Sequence, residues 1–160
     1  MRTLVLALLL AAGLGAAQAS QRTAGERVLD LVNAARATPR YCGGRYFNAA
    51  GPLRWNDALA EAALEHADDM ARHYFFGHAG SDGSDPAARV ERVGYRYRMM
   101  GENIAAGDMG PDEAVAGWIH SPGHCANLMN PAFTEMGAAY AFNPRSEYRV
   151  YWAQSFGTRR

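Results

Sequence analysis

The chain has 160 residues, with 16 basic and 16 acidic side chains and a formal net charge of zero. Every basic residue is arginine, and lysine is absent. Such a mixed surface lacks the basic stripe by which proteins meet nucleic acid and offers no electrostatic pull toward an anionic membrane, so neither partner is expected.

The first segment reads as a targeting signal. Arg2 precedes an uncharged Leu/Ala-rich run from Thr3 to Ala17, and Ala17-Gln18-Ala19 supplies a small-x-small cleavage site. A membrane span needs about 20 apolar residues, and this run is shorter. No cysteine follows the cleavage site to carry a lipid anchor. The expectation is a signal peptide over 1–19, a secreted or periplasmic protein with no membrane anchor, and a single domain over 20–160. Cleavage would remove Arg2 and leave 15 arginines against 16 acidic residues. A chain of about 140 residues can bury a substantial core.

Along that domain, Val28, Leu31, Val32 and Ala35 recur at helical spacing, which predicts a helix over Ala24–Ala37 stopped by Pro39. The stretch YCGGRYFNAAGPLRW (41–55) is rich in glycine and turn residues and reads as a loop pinned by Cys42. Asn56 or Asp57 caps a second helix to about His73, with Leu59, Ala63, His66, Ala67 and Met70 on its inner stripe. On that stripe His66 reads as a hydrogen-bonded core histidine.

YFFGHAGSDGSDP (74–86) is a loop, and Ser84 or Asp85 caps a short helix with Pro86 at its first position, through about Val93. GENIAAG (101–107) is extended or loop. Pro111, Asp112 and Glu113 open another helix, whose apolar face carries Val115, Trp118 and Ile119. In WIHSPGHCANLMN (118–130), Pro122 and Gly123 separate His120 from His124, so one helix cannot carry both. The zincin pattern also fails, because no Glu follows the first His. Met136–Phe142 and Glu147–Phe156 have strand composition. Helices early, strands late and no βαβ alternation give an α+β fold with helices covering an antiparallel sheet.

Two cysteines, Cys42 and Cys125, remain after cleavage. An even count in an exported chain reads as one disulfide. The rival reading pairs Cys125 with His124 as a catalytic dyad, but adjacent side chains point apart and a catalytic His normally reaches its Cys from elsewhere in the chain. Among the histidines, His66, His73 and His120 have bland positions, whereas His78 and His124 fall in glycine-containing segments with apolar neighbours. Glu102 and Glu135 also sit among apolar residues, where a carboxylate must be paired, bonded or exposed. Two imidazoles with one or two carboxylates suit a divalent metal such as Zn2+.

The motifs FFGHAGSDGS (75–84), RVERVGYRYRMMGENIAAG (89–107), VAGWIHSPGHCANLMNPAFTEMG (115–137) and YWAQSFG (151–157) resemble the bacterial branch of the CAP superfamily. This group is also called the SCP-like extracellular domain and includes the cysteine-rich secretory and pathogenesis-related proteins. LVNAAR (31–36) and PLRWNDALAEAA (52–63) are similar to its two N-terminal helices. The resemblance implies a three-layer α-β-α sandwich, with a small antiparallel sheet covered by helices and a cleft holding two histidines and two acids. His78 matches the first cavity histidine, with Gly77 where the family has Ser. Glu102 matches the acid of the GEN motif and His124 the histidine of the GH motif. The second acid of eukaryotic members falls at Ser121 here, so Glu135, in the bacterial FTE motif, is its substitute.

What the resemblance implies for function is divalent-metal, sterol or lipid binding, and in some members proteolysis. Three readings stay open. One is an exported binding module taking a divalent metal, a lipid or a cell-wall component in a His/Glu-lined cleft. Another is a zinc-dependent hydrolase of peptides or cell-wall material, in which a remaining Glu acts as base. The last is a structural His/Glu network with no ligand. A serine hydrolase would need Ser121 or Ser155, and neither sits in a nucleophile elbow.

Overall fold

The computed structural model describes the backbone of residues 2–160 and the side chains of residues 19–160. Apart from Ala19, the expected signal segment therefore lies outside the residues whose side chains are described. Among the described residues, no helix is long and apolar enough to cross a membrane.

Helix α1 (Arg2–Arg36) delivers Val28 and Val32 to the core. It ends on Arg36, a buried cation without a carboxylate partner among the described residues. The guanidinium donates instead to the carbonyls of Gly51, Leu128 and Asn130 at 2.6–3.0 Å, with a longer bond to Phe133 O. Burial pulls its pKa down to about 10, which still leaves it charged at neutral pH. One side chain thus joins the end of α1 to two later segments.

The stretch 41–55, expected as a loop, is partly ordered. Strands β1 (Arg40–Cys42) and β2 (Arg45–Phe47) form an antiparallel hairpin, and β3 (Arg54–Trp55) follows. Gly43 and Gly44 make the turn, with Gly43 at φ +60°, the left-handed region that two-residue hairpin turns require. Helix α2 (Asp57–His73) begins where the capping signal places it, with Asn56 Oδ1 accepting from Leu59 N. Helix α3 (Pro86–Arg92) is capped by Asp85. Strand β4 (Tyr97–Ala106) takes in most of the GENIAAG segment.

In the thirteen-residue stretch, α4 (Pro111–His120) stops and α5 (Pro122–Leu128) starts within two residues. Pro122 ends nothing; it occupies the first turn of a new helix, where its missing N–H costs least. His124 is therefore helical rather than in a loop. Strands β5 (Glu135–Phe142) and β6 (Val150–Arg159) complete the sheet. The last strand begins at Val150 rather than Glu147, because the chain turns through 143–149 with Arg149 at φ +63° and Asn143 N bonded to Arg149 O.

The fold is α+β, in three layers. The sheet has the order β3-β5-β6-β4, antiparallel except that short β3 runs parallel to β5. On one face, Ile104, Ala139, Ala153 and Tyr151 meet Ala63, Ala67 and Met70 of α2. On the other, Met136, Ala138, Trp152 and Phe156 meet Val28 and Val32 of α1, Val115 and Trp118 of α4, and Leu128 of α5. Small residues set the first spacing: a Cβ on Gly137 would overlap the Ala60 backbone nitrogen, so α2 lies directly on β5. A disulfide joins Cys42 to Cys125 and fastens the hairpin to α5. Closing 83 residues of separation is worth about 4–5 kcal/mol in the chain-entropy model.

Candidate functional site

Strand β4 is a sheet edge, and elements from both outer layers converge on it. Glu102 projects toward the α2 face, since it lies opposite Ser155 in the same alternation as Ile104 opposite Ala153. Its carboxylate is buried and divided between Arg89 and His78. Oε2 accepts from Arg89 Nη2 at 2.9 Å, and Oε1 accepts from His78 Nδ1 at 2.9 Å. Arg89 is buried too, and the same Nη2 donates to His78 O at 2.9 Å while Nη1 donates to Ser84 O at 3.0 Å. A third group stands behind them: His66, wholly buried on α2, donates from Nε2 to Gly77 O at 2.8 Å and lies 3.8 Å from Glu102 Oε1. The loop 74–85 is thus held on both sides of His78, by His66 at Gly77 and by Arg89 at Ser84.

This places the His78 ring with one nitrogen committed and one outward. Its side chain is 52% exposed, and Nε2 has no partner among the described residues. The bond to Glu102 raises the pKa of His78, outweighing partial burial and the repulsion of Arg89.

His124 comes from the opposite layer, in the first turn of α5. An amide relay locks α5 to β4: Asn127 Nδ2 donates to Glu102 O and to Asn103 Oδ1, and Asn103 Nδ2 donates to His124 O and Gln154 Oε1. The His124 ring is half-buried. Burial lowers its pKa, and the charge of neighbouring His78 lowers it further. The two imidazoles are therefore driven apart: His78 favours the cation and His124 the neutral base.

Of the four residues the sequence singled out, the structure brings His78, Glu102 and His124 to one edge of the sheet. It puts Glu135 elsewhere. That carboxylate lies across β6, accepting from Asn56 Nδ2 at 3.1 Å and Tyr95 OH at 2.7 Å, with Arg159 Nε at 3.4 Å. Among the described residues it shares no partner with Glu102, and it ties the start of α2 to the sheet. Tyr95 answers with a raised pKa, from burial first and then from the bond to Glu135.

Arg89, which fixes the site, is not distinguished by the sequence. It stands three residues before Arg92 on the same short helix, yet Arg92 pairs at the surface with Glu65 and Asp82. Nothing in their local sequence says which one turns inward.

The donor set also decides whether a metal fits. Zinc sites use at least three protein ligands. Among the described residues, no group of three or more His, Cys, Asp or Glu side chains is placed to hold an ion. Both Glu102 oxygens are engaged by His78 and Arg89, so two imidazoles are what the site offers. The residues present do not make a resident zinc centre.

Residues 29–156 match the family model of CAP, the cysteine-rich secretory protein family. The chain belongs to this family. It is 30% identical over 131 residues to the YkwD protein of Bacillus subtilis (strain 168), covering 82% of this chain and 46% of that protein. It is 29% identical over 136 residues to the membrane protein YlbC of the same strain, covering 85% of this chain and 35% of that one. The chain thus spans less than half the length of these curated relatives. Among solved structures, an extracellular protein containing an SCP domain from Bacillus anthracis superposes with a TM-score of 0.72 and 26% identity. That match covers 88% of this chain and 41% of that one. In this CAP domain, Glu102 of the GEN motif lies on the edge strand itself, His78 is bonded to it, and α5, which carries His124 of the GH motif, is tied to the same strand through Asn103.

Proposed function

We propose that this CAP domain is an exported binding module. Its His78–His124 pair, at the open edge of β4, receives one polar group of a lipid or cell-wall component. The observation that carries this is the chain Arg89–Glu102–His78: a buried ion pair holds one imidazole nitrogen and leaves the other half-exposed and partnerless. Beside it, His124 stays neutral and able to accept. When His78 is protonated, its outward Nε2–H donates beside an accepting His124, and the two rings grip a phosphate, carboxylate or hydroxyl without covalent chemistry.

Hydrolysis has less support. The donor set lacks a third metal ligand, and among the described residues no histidine is bonded to a serine hydroxyl. Export rests on the amino-terminal pattern of Arg2, the apolar run and Ala17-Gln18-Ala19. The Bacillus anthracis protein with the same fold is described as extracellular, which agrees with it.

Imidazole nitrogen NMR tests the reading. Titration with soluble peptidoglycan fragments, or with vesicles of an anionic phospholipid, should move the His78 and His124 resonances and leave the exposed His73 and His120 unchanged. If neither probe moves His78 or His124, the binding reading fails. Zinc retained at one ion per chain through dialysis, and lost in His78→Ala, would replace it with a metal centre.

A further inference from the structure

The β1–β2 hairpin has two unlike faces. Cys42 and Phe47 turn inward, where they pack with Cys125 of α5 and Met129 just after it. Tyr41 and Tyr46 turn the other way, 69% and 52% exposed. Neither ring belongs to a buried cluster among the described residues, so packing does not account for the pair.

The turn sets the two rings together. Gly43-Gly44 closes a two-residue loop, which pairs Cys42 with Arg45 and Tyr41 with Tyr46. The pair beside such a loop is the hydrogen-bonded one. By alternation Tyr41 and Tyr46 form a non-hydrogen-bonded pair, in which facing side chains stand closest. Their rings meet edge to face, with centroids 5.2 Å apart and planes inclined by 62°. The Cys42–Cys125 disulfide fastens the strand that carries Tyr41, so the backbone keeps its register while the exposed rings re-orient freely.

Two solvent-facing phenols in contact are placed for oxidative coupling. No thiol competes for the oxidant, since the two cysteines of the chain are joined to each other. Other tyrosines are worse placed. Tyr148 and Tyr151 have centroids 6.0 Å apart and planes at 88°, and Tyr151 is buried.

We propose that Tyr41 and Tyr46 are an oxidative modification site, closed into a dityrosine by a peroxide-charged haem peroxidase or an equivalent one-electron oxidant. Each phenol yields one electron and one proton, which together reduce one hydrogen peroxide to two waters. The two phenoxyl rings form a carbon–carbon bond between positions ortho to their oxygens. The ring hydrogens at those positions then move to the oxygens and restore both phenols, so the chain loses two hydrogens in all. The hairpin is then locked by a bond that thiols do not open, next to a disulfide that they do. The site does not depend on how His78 and His124 are used.

Treatment of the full chain with a haem peroxidase and limiting hydrogen peroxide tests it, read by gel filtration, dityrosine fluorescence and peptide mass spectrometry. Trypsin cuts after Arg40, Arg45 and Arg54, which puts the tyrosines in separate peptides, 41–45 and 46–54. Once the disulfide is reduced, only the new bond holds those peptides together. The joined pair, lighter by two hydrogens, is expected in the monomer fraction together with the fluorescence. Tyr41→Phe and Tyr46→Phe keep the rings and the hairpin, and each should abolish the link. Tyr74→Phe, at a tyrosine 60% exposed elsewhere, should leave it unchanged. The proposal is overturned if no dityrosine forms, or if it forms only in dimers. It is also overturned if links from Tyr74 or Tyr148 are as abundant as Tyr41–Tyr46, or if either hairpin variant keeps the fluorescence of the monomer.

Discussion

Replacing Arg89 by Met removes the cation on which the site is built. Arg89 and Glu102 are both almost wholly buried, and three bonds of 2.9–3.0 Å leave the guanidinium, to Glu102 Oε2, His78 O and Ser84 O. Met fills much of the same volume, so the loss is electrostatic rather than a cavity. Removing one partner of a buried pair leaves an uncompensated charge and costs about 3–5 kcal/mol. For a domain whose total stability is about 5–15 kcal/mol, that is a large fraction.

Urea unfolding of wild type, Arg89→Met, Glu102→Gln and the double variant measures it as a cycle. The double variant should be more stable than the sum of the two singles implies, by at least about 1 kcal/mol, because with Gln at 102 no stranded charge remains. The His78 ring should also lose its fixed orientation in Arg89→Met, seen as averaging of its imidazole resonances. A loss under about 1 kcal/mol for Arg89→Met, or strict additivity in the cycle, would refute the reasoning that a buried ion pair organises this site.

Glycine contacts give a sharp contrast. Gly137→Ala pushes a Cβ into the Ala60 backbone and should cost about 3 kcal/mol or more, whereas Gly117→Ala, with open space around it on α4, should be neutral or gain up to about 1 kcal/mol. Equal unfolding midpoints for the two would show that α2 does not lie against β5. The imidazoles should titrate apart, His78 above the ordinary value near 6.5 and His124 below it. The raised His78 adds stability that is complete below about pH 6.5 and fades as pH rises through its folded pKa. The depressed His124 and His66 do the opposite, adding stability above about pH 6.5 that is lost as pH falls through theirs. His78→Gln should move the His124 titration upward, and a single shared midpoint near 6.5 for both rings would contradict their pairing.

The layers of the fold were legible because periodicity and caps are local. Asn56 and Asp85 start α2 and α3, and the stripe from Leu59 to Met70 faces the sheet. The hairpin at 40–47 was hidden because its strands are three residues each and too short for alternation to register, although Gly43-Gly44 carried the turn signal. Helix α5 was hidden for the same reason: Pro122 reads equally as a stop or as a first-turn residue until the path of the chain is known.

The motifs GEN and SPGH point to Glu102 and His124, and FFGH to His78, so three of the residues at the candidate site were visible by pattern. Glu135 was visible too, but its position across β6, bonded to Asn56 and Tyr95, depends on strand order, which no local pattern contains.

By itself, then, the sequence determined the family, the helical faces, the caps and the residues worth testing, because each of these is a property of neighbours within a few positions. Only the tertiary structure decided which arginine turns inward to Glu102, which carboxylate stays away, and that the hairpin packs against α5. Those outcomes are settled by desolvation and close packing between segments tens of residues apart, where the burial of one charge fixes the place of its partner.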